Sequence, residues 1–461
     1  MKTETLSPVD AAWLHMEDPT NLMMVTTVLM FDEVIDFELL KTTIEHRLLK
    51  FDRFRQRVVD SKQPFSQPQW EPDPHFTLSA HLHRIALPAP GDQAMLEEMV
   101  SDLMSAPLDA TKPLWQFHLI ENYNGGCALL MRIHHCIADG IALVQVVLSL
   151  TDATSETSLI NKTAKNKQRQ GAVSDFLDQA TAMVNSTIRT TETLLFEGIE
   201  TIIHPSRVVD LAKQGAMGAV ATGKLAFMGA DAQTAFKGKL GVTKRAAWST
   251  PIPLAQVKAI SHACNGTIND VLMTAVTGAL RRYLQGRDET INSINIRAVI
   301  PVNLRPPKAP LELGNKFGLV FLELPIGIED VSARFIELKK RMDAIKNSPE
   351  ALVAFGLLNT VGAAPSEIER AVVDLFATRA TTVMTNVPGP RDTIYLAGKA
   401  MSGSMFWVPQ AGRLGLGVSI LSYAGAITLG IAADVGLIPD PKKIIDEFHA
   451  EFEQLMSMAQ A

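Results

Sequence analysis

The alternation of apolar and polar positions predicts a chain built from two regions of mixed strands and helices. In the first region, the run from Ala128 to Ile133 is apolar except for Arg132, which indicates a buried strand. The apolar residues from Ile141 to Leu148 follow with helical spacing. In the second region, strands are predicted over 243–250, 294–302, 319–324 and 381–385. The pattern therefore predicts an α/β (α+β) fold with mostly antiparallel sheets flanked by helices.

A polar stretch between the two regions predicts a linker. Residues 152–171 are low in apolar content, and residues 173–203 then carry one apolar stripe at helical spacing. We expect an N-terminal domain over 1–151, a linker with a long amphipathic helix over 152–240, and a C-terminal domain over 241–461. Packing of the linker helix on the protein is preferred to insertion into a lipid surface, because its polar face lacks the lysines of lipid-binding helices.

One uncharged stretch, residues 414–433, has the length of a membrane span. Its glycines and serines, with Tyr423-Ala424-Gly425 in the middle, instead predict two buried strands around a tight turn. The first five residues are polar and of mixed charge, so no signal peptide is expected. A cytoplasmic location is therefore predicted, and peripheral contact with an inner membrane or a lipid-inclusion surface is left open.

Composition narrows the classes of partner. The net charge of -6 argues against nucleic acid as a partner, since binding the phosphate backbone needs a basic excess. The three cysteines, Cys127, Cys136 and Cys264, lack metal-ligand spacing, so no metal site and a reducing compartment are expected. We interpret Cys136 as a packing residue rather than a nucleophile.

The stretch with the strongest chemical content is His134-His135-Cys136-Ile137-Ala138-Asp139-Gly140, at the junction of the predicted strand and helix. Side chains alternate faces along a strand, so only one of the two histidines can face a given cavity. A neutral imidazole there can take a proton as a general base. Asp139 is placed to anchor the loop, and Gly140 is expected to permit a backbone turn that other residues resist. The alternative is a pair of core histidines with an N-capping aspartate.

This stretch matches the HHxxxDG signature of the CoA-dependent acyltransferase superfamily. Further stretches resemble the bacterial wax ester synthase/diacylglycerol acyltransferase family, and the resemblance covers nearly the whole length. They are Leu6-Ser7-Pro8-Val9-Asp10, Pro113-Leu114-Trp115, Asn269-Asp270-Val271-Leu272, Pro301-Val302-Asn303-Leu304-Arg305, Gly314-Asn315 and Thr385-Asn386-Val387-Pro388-Gly389-Pro390.

The resemblance implies two similar chloramphenicol-acetyltransferase-like domains with the site at their interface. One channel would admit acyl-CoA and the other a fatty alcohol or diacylglycerol, giving wax esters or triacylglycerol. Acyl-CoA is then a substrate, and no cofactor is expected. By the same resemblance His135 is the general base, His134 is supporting and Asp139 is structural. Arg305 looks like the partner of Asp139 across the domain interface.

Two further residues are candidate substrate-binding positions, Gly140 in the motif and Asn269 at a predicted helix start. Asn269 is a candidate donor to the oxyanion of the transition state. A capping role for Asn269 or Asp270 is the alternative. Two other classes also stay open, a non-catalytic lipid-binding protein of the same fold and a condensing acyltransferase that takes its acyl group from a carrier protein. The sequence leaves the oligomeric state open.

Overall fold

The computed structural model describes residues 3–61, 66–156, 228–305, 312–346, 350–362, 377–410 and 412–460. The strands in these residues are β1 (Glu4–Thr5), β2 (Met24–Phe31), β3 (Gln56–Val59), β4 (Gln69–Pro72), β5 (Leu82–Ala86), β6 (Trp115–Tyr123), β7 (Gly126–His134), β8 (Lys244–Trp248), β9 (Ile252–Pro253), β10 (Ile296–Asn303), β11 (Phe317–Leu324), β12 (Thr382–Pro388), β13 (Tyr395–Leu396), β14 (Lys399–Trp407), β15 (Leu416–Tyr423) and β16 (Ala426–Asp434). The helices are α1 (Pro8–His15), α2 (Phe37–Thr43), α3 (Gln93–Ser105), α4 (Gly140–Leu150), α5 (Leu254–Ala263), α6 (Ile268–Gln285), α7 (Val331–Lys346), α8 (Glu350–Gly362) and α9 (Lys442–Gln460).

The first sheet has the strand order β13-β14-β2-β7-β6-β5. All of its neighbours pair antiparallel except β5 and β6, which are parallel. Every residue of β7 is buried. Leu129, Met131 and Ile133 face one hydrophobic core, and Ala128 and Leu130 face another. Because both faces of β7 are covered, its sequence is an almost unbroken apolar run.

The second sheet has the order β11-β10-β12-β15-β16-β8, with β9 beside β16. Its strand β12 runs parallel to both neighbours, β10 and β15, and the other pairs are antiparallel. Helices α6 and α9 pack against one another and share one core with this sheet. The predicted fold of two mostly antiparallel sheets flanked by helices is confirmed, with these parallel pairs as additions. A third, three-stranded sheet has the order β1-β4-β3.

One strand of the second region belongs to the sheet of the first. β14 pairs with β2, with Met405 opposite Val28 and Trp407 opposite Thr26. The stretch 241–461 is predicted as one domain, but one of its strands therefore belongs to the sheet of the N-terminal domain. Hydrophobic alternation marks β14 as a strand, but it carries no information on which sheet the strand joins.

Two other predictions concern the linker and the uncharged stretch. The helix predicted over 173–203, and with it the helical linker, lies outside the described residues. The uncharged stretch forms β15 and β16, joined by a turn at Ala424 and Gly425, whose φ angles are 47° and 79°. Within the described ranges, every helix is too short or too polar to cross a membrane.

Candidate active site

The histidine motif lies where the two regions meet. Strand β7 ends at His134, and helix α4 begins at Gly140. A segment of the second region runs beside the loop, because Gly314 N–H donates to Ile137 O over 3.0 Å and Asp139 N–H donates to Gly314 O over 3.3 Å. The loop is therefore built from both regions.

His135 is held by backbone bonds and by aromatic packing. Its N–H donates to Met23 O over 2.7 Å, and its carbonyl accepts from Asn315 Nδ2 over 2.8 Å. The ring stacks on Trp13 with centroids 4.2 Å apart and meets Phe317 edge-on at 5.8 Å. Nδ1 is buried and has no hydrogen-bond partner in the described residues. The ring lines a cavity, so Nε2 is the nitrogen placed to meet a substrate.

Burial sets the charge of this ring. Loss of solvation lowers the pKa of His135 to about 4, against the opposing effects of the Asp139 charge and of the nearby Asn315 side chain. The imidazole is therefore neutral near pH 7, which is the form that accepts a proton.

His134 points away from the cavity that His135 lines. Its Nδ1 accepts from Cys136 N–H over 3.1 Å, which places the ring proton on Nε2. Nε2 lies 2.8 Å from Glu17 Oε2. Burial alone would raise the pKa of Glu17, but its hydrogen bonds with His134 and with the Met23 N–H outweigh burial and lower the pKa. The two histidines thus face opposite ways, one toward a cavity and one toward a carboxylate that fixes the loop.

Asp139 ties the start of α4 to the second region. Its Oδ1 accepts from Ala142 N–H over 3.0 Å and caps the helix. Its Oδ2 accepts from Lys316 N–H over 2.9 Å and from Arg305 Nη1. Arg305 Nη2 donates in turn to Gly314 O over 2.6 Å. Both side chains are buried, with 5% and 6% exposed. The structure therefore brings Asp139 and Arg305 together as a buried, hydrogen-bonded ion pair.

A second carboxylate, Asp10, supports His135 through Asn315. Asp10 Oδ1 accepts from Asn315 N–H over 3.1 Å and from its Nδ2 over 2.7 Å. The same Nδ2 donates to the His135 carbonyl. Burial raises the pKa of Asp10, although its hydrogen bonds oppose the shift. From the sequence, Asp10 is a candidate cap of a short helix, and Asn315 is only part of a resembling motif, so neither residue is predicted at the site.

A cavity that opens to solvent lies beside His135 and measures about 860 Å³ with the open solvent at its mouth included, and we call it the catalytic cavity. It is lined by Trp13, His135, Asp139, Gly140, Ile141, Pro301, Asn303, Phe317, Leu319, Val383, Thr385, Asn386, Val387, Pro388, Phe406, Val408 and Pro409. Both sequence regions contribute to it. The hydroxyl of Thr385, one of the lining residues, is buried and has no hydrogen-bond partner among the described residues. Sequence reasoning did not assign this hydroxyl a function.

Asn269 is hydrogen-bonded to a residue that lines the catalytic cavity. Its Oδ1 accepts from Asn386 Nδ2 over 2.6 Å, and Asn386 is the residue that lines the cavity. Thr267 and Asp270 cap helix α6 through reciprocal side-chain bonds, so the capping alternative applies to Asp270 and not to Asn269. Asn269 is placed to orient Asn386.

Gly140 differs from its predicted role. Its φ is not positive, so the turn does not require glycine, and the expectation of a backbone turn that other residues resist is wrong. A Cβ built on Gly140 meets no atom of the described residues within 4 Å. The position is open because it borders empty space, which is what a substrate-facing residue needs.

Cys136 is fully buried, and loss of solvation raises the pKa of its thiol well above the usual range. The thiol therefore stays protonated and is a poor nucleophile. In the described part of the chain, no group of three histidine, cysteine, aspartate or glutamate side chains is arranged to hold a metal ion.

Two sheets with a histidine loop at their junction, backed by a buried Asp–Arg pair, define a protein of the two-domain acyltransferase class. Residues 6–272 match the family model for the wax ester synthase/diacylglycerol acyltransferase catalytic domain, and residues 313–456 match the model for the C-terminal domain. The chain belongs to the wax ester synthase/diacylglycerol acyltransferase family.

Similarity to known proteins extends over nearly the whole chain. A Mycobacterium bovis protein named as a diacylglycerol O-acyltransferase is 29% identical, covering 94% of this chain and 92% of its own. The wax ester synthase/diacylglycerol acyltransferase of Marinobacter aquaeolei VT8 shares the fold, with a TM-score of 0.70, 20% identity and coverage of 99% and 100%. The starter condensation domain of rhizomide synthetase is also similar, with a TM-score of 0.57, 14% identity and coverage of 100% and 95%.

Proposed function

We propose that this protein transfers a fatty acyl group from acyl-CoA to the hydroxyl of a long-chain alcohol or of diacylglycerol. The observation that carries the proposal is a neutral, buried imidazole on a cavity that both regions line. Membership of the family supports the substrate classes. Within that frame, His135 serves as the general base.

The reaction balances without a cofactor. His135 Nε2 removes the hydroxyl proton while the alcohol oxygen forms a bond to the thioester carbonyl carbon. The tetrahedral intermediate then breaks its C–S bond. The CoA sulfur leaves with the electron pair and takes the proton back from the imidazolium. The nearby Asp139 carboxylate favours the imidazolium while it exists, because it raises the pKa of the ring.

The negative oxygen of the intermediate needs donors, and Thr385 is the side chain best suited to supply one. Thr385 lines the catalytic cavity, and its buried hydroxyl has no competing partner in the described residues. Asn386, oriented by Asn269, lines the same cavity and offers an amide. An unpartnered buried donor is costly to keep unless a substrate uses it.

Transfer is direct, with no acyl-enzyme. The thioester is already activated, and Cys136, the cysteine nearest the base in sequence, has a raised pKa and does not line the catalytic cavity. Incubation with palmitoyl-CoA alone followed by intact-mass measurement should give the unmodified mass. A stable adduct of one palmitoyl group would contradict direct transfer.

The test of the function is ester formation. Purified protein is given palmitoyl-CoA with hexadecanol in one arm and with a diacylglycerol in the other, and free CoA and ester are both measured. Ester in either arm supports the proposal and ranks the two acceptors. Alkyl-chain binding without ester would favour the non-catalytic alternative, and ester formed only from acyl-carrier protein would favour the condensing alternative.

A further inference from the structure

Two buried polar atoms beside the proposed base have no hydrogen-bond partner among the described residues. They are the ring nitrogen Nδ1 of His135 and the amide oxygen Oδ1 of Asn315. The two residues are already joined by another hydrogen bond, since Asn315 Nδ2 donates to the His135 carbonyl over 2.8 Å. An imidazole nitrogen can donate a proton, whereas an amide oxygen can only accept one. Each unpartnered buried atom costs free energy, and a hydrogen bond between the two would remove both costs.

The surroundings of Asn315 determine which end of its amide is the oxygen. Nδ2 has two neighbours, Asp10 Oδ1 at 2.7 Å and the His135 carbonyl oxygen at 2.8 Å. Both neighbours are acceptors, so the amide must turn its NH₂ group toward them. In the opposite orientation, the amide oxygen would face a carboxylate oxygen and a carbonyl oxygen. Oδ1 is therefore held on the remaining side of the amide as a free acceptor.

Helix α1 fixes both the amide and the ring. Asp10 also accepts from Asn315 N–H over 3.1 Å. Gly314 permits this close approach, because its φ is 97° and a Cβ there would lie 3.4 Å from Asp10 Oδ2. Trp13, three residues further along α1, stacks on the His135 ring with centroids 4.2 Å apart. The helix and the segment that carries Asn315 therefore hold the ring from two sides.

The two neutral forms of the His135 ring fit these surroundings unequally. With the proton on Nε2, Nδ1 would be a second buried acceptor near Oδ1, and neither would have a donor among the described residues. With the proton on Nδ1, the ring donates to an acceptor, and Nε2 keeps the lone pair that a base needs. The Asn315 side chain and the His135 carbonyl both raise the pKa of the ring, as acceptors beside a ring N–H do.

We propose that Asn315 is a positioning residue for the base, with its Oδ1 accepting a hydrogen bond from His135 Nδ1–H and with Asp10 holding the amide in the required orientation. This bond keeps Nε2 as the nitrogen that accepts the substrate proton, and it stabilises the imidazolium that results. Hydrogen bonds of catalytic groups are often long in the free enzyme and shorten when substrate binds. The inference rests on the proposed function, since the base is His135 there.

The first test is Asn315→Leu, which replaces the amide by an apolar side chain of similar shape. With palmitoyl-CoA and hexadecanol, kcat should fall by about 10- to 150-fold, the effect of losing one hydrogen bond to a charged group. KM should change little, because Asn315 is not among the residues that line the catalytic cavity. An unchanged kcat in a folded Asn315→Leu protein would overturn the inference.

Ser101→Ala is the matched control for a merely structural role. It removes another buried hydrogen bond between the two regions, from Ala246 N–H to Ser101 Oγ over 2.9 Å. Ser101 does not line the catalytic cavity, so kcat should be unchanged. A loss of kcat equal to that of Asn315→Leu would mean that any weakening of the contact between the regions slows the reaction, and the positioning role would fail.

Two variants test the orienting role of Asp10. Asp10→Leu removes the acceptor for the amide and should lower kcat toward the value of Asn315→Leu. Asp10→Asn keeps an oxygen at the same place and should recover most of the rate. If Asp10→Leu does not fold, Asp10→Asn still decides. A loss in Asp10→Asn as large as that in Asn315→Leu would contradict the orienting role, which needs an oxygen and not a charge.

The pH profile separates positioning from a general loosening of the site. The ratio of kcat/KM at pH 4 to that at pH 7 should be about one half in the unsubstituted protein, whose His135 pKa is about 4. Asn315→Leu removes an acceptor that raises this pKa, so the ratio should rise. Asn315→Asp places a carboxylate beside the ring, so the ratio should fall. Loosening would admit water and move the pKa toward about 6.5 in both variants, and a fall in both ratios would overturn the inference.

The other charged or titratable groups around the ring are the same in both Asn315 variants. They are Asp139 with its partner Arg305, His134 with its partner Glu17, and Asp10.

Nitrogen NMR of histidine-labelled protein reads the position of the ring proton without turnover. The His135 signal is identified by its loss in His135→Gln. It should show the proton on Nδ1, and Asn315→Leu should give a mixture of the two forms. A proton on Nε2 in the unsubstituted protein, or an unaltered form in Asn315→Leu, would overturn the inference. A ring proton that depends on Asn315, without any ester, would sustain the Asn315–His135 bond and contradict the proposed activity. Ester formation with a ring proton independent of Asn315 would do the reverse.

Discussion

The same local structure occurs twice in this protein, once at the junction of the two regions and once within the second region. In the first region, the β6–β7 hairpin leads through a loop into α4, and in the second the β15–β16 hairpin leads through a loop into α9. Both hairpins turn at residues of positive φ, Asn124-Gly125 and Ala424-Gly425. The last residue of β7 is His134 and the last of β16 is Asp434.

The difference lies in what surrounds the loop. Asp434 is fully buried, accepts from Lys244 Nζ over 2.6 Å and from Gly241 N–H over 2.8 Å, and so binds only its own region. The loop after β7 instead contacts the second region through Gly314 and Arg305 and borders the catalytic cavity. The hairpin, loop and helix are therefore a shared scaffold, and the proposed reactivity depends on placing the loop at the junction of the two regions.

The largest expected effect is on the base. His135→Ala should lower kcat by about two to four decades, the usual general-base contribution, while the protein stays folded. His118 is a matched control, because it is also buried, burial lowers its pKa to about 4, and it does not line the catalytic cavity. Steady-state kinetics on both variants decide, and a folded His135→Ala enzyme with near-normal kcat would end the assignment.

Next comes a comparison of the two buried ion pairs. Asp139→Ala and Asp434→Ala should each lower the free energy of unfolding by about 3–5 kcal/mol, since each leaves a buried cation without its partner. Only Asp139→Ala should also lower kcat per folded molecule, because Asp139 holds the loop that carries His135. Denaturant titration and kinetics on the folded fraction test this, and equal kcat for the two variants would remove the distinction.

A somewhat smaller loss is expected at Thr385. Thr385→Val keeps the shape but removes the hydroxyl, and loss of one oxyanion donor costs about 10²–10³ in kcat. Thr385→Ser restores a hydroxyl and should recover most of the rate. Unchanged kcat in the valine variant, with ester formation intact, would exclude Thr385 as a donor.

The smallest effect concerns pH. Because the folded pKa of His135 is about 4 and that of an unfolded histidine about 6.5, kcat/KM should stay level from pH 8 to pH 5 and fall only near pH 4. The unfolded chain binds the proton first between those values, so this group makes stability fall as the pH decreases from about 6.5 to 4. A pH–rate profile with a midpoint near 6.5 would contradict the burial argument.

Local sequence patterns predict much of this structure. The strand that ends in the histidines, the turn at Ala424-Gly425 and the opposite orientation of His134 and His135 follow from alternation along a strand. The Asp139–Arg305 contact came from resemblance, because no periodicity links residues 166 positions apart.

Other features depend on partners that are distant in the sequence. The hydrogen bond from Asn315 to the His135 carbonyl joins two regions that are distant in the sequence. The Thr385 hydroxyl is a candidate oxyanion donor because it has no hydrogen-bond partner among the described residues. The sequence predicts that Gly140 supplies backbone freedom, which is the usual reason for a glycine. The structure instead shows empty space where a side chain at this position would lie. These properties arise only in the folded chain, so no local sequence pattern predicts them.

Strand β14 has a consequence for any shortened form of this protein. A fragment ending before residue 399 would leave β2 as a bare sheet edge, with unsatisfied amide and carbonyl groups along Met24–Phe31. Such a fragment should self-associate through that edge. The same fragment lacks β15, β16 and α9, so supplying residues 395–407 as a peptide should cover the edge of β2 without rebuilding the core of the second region.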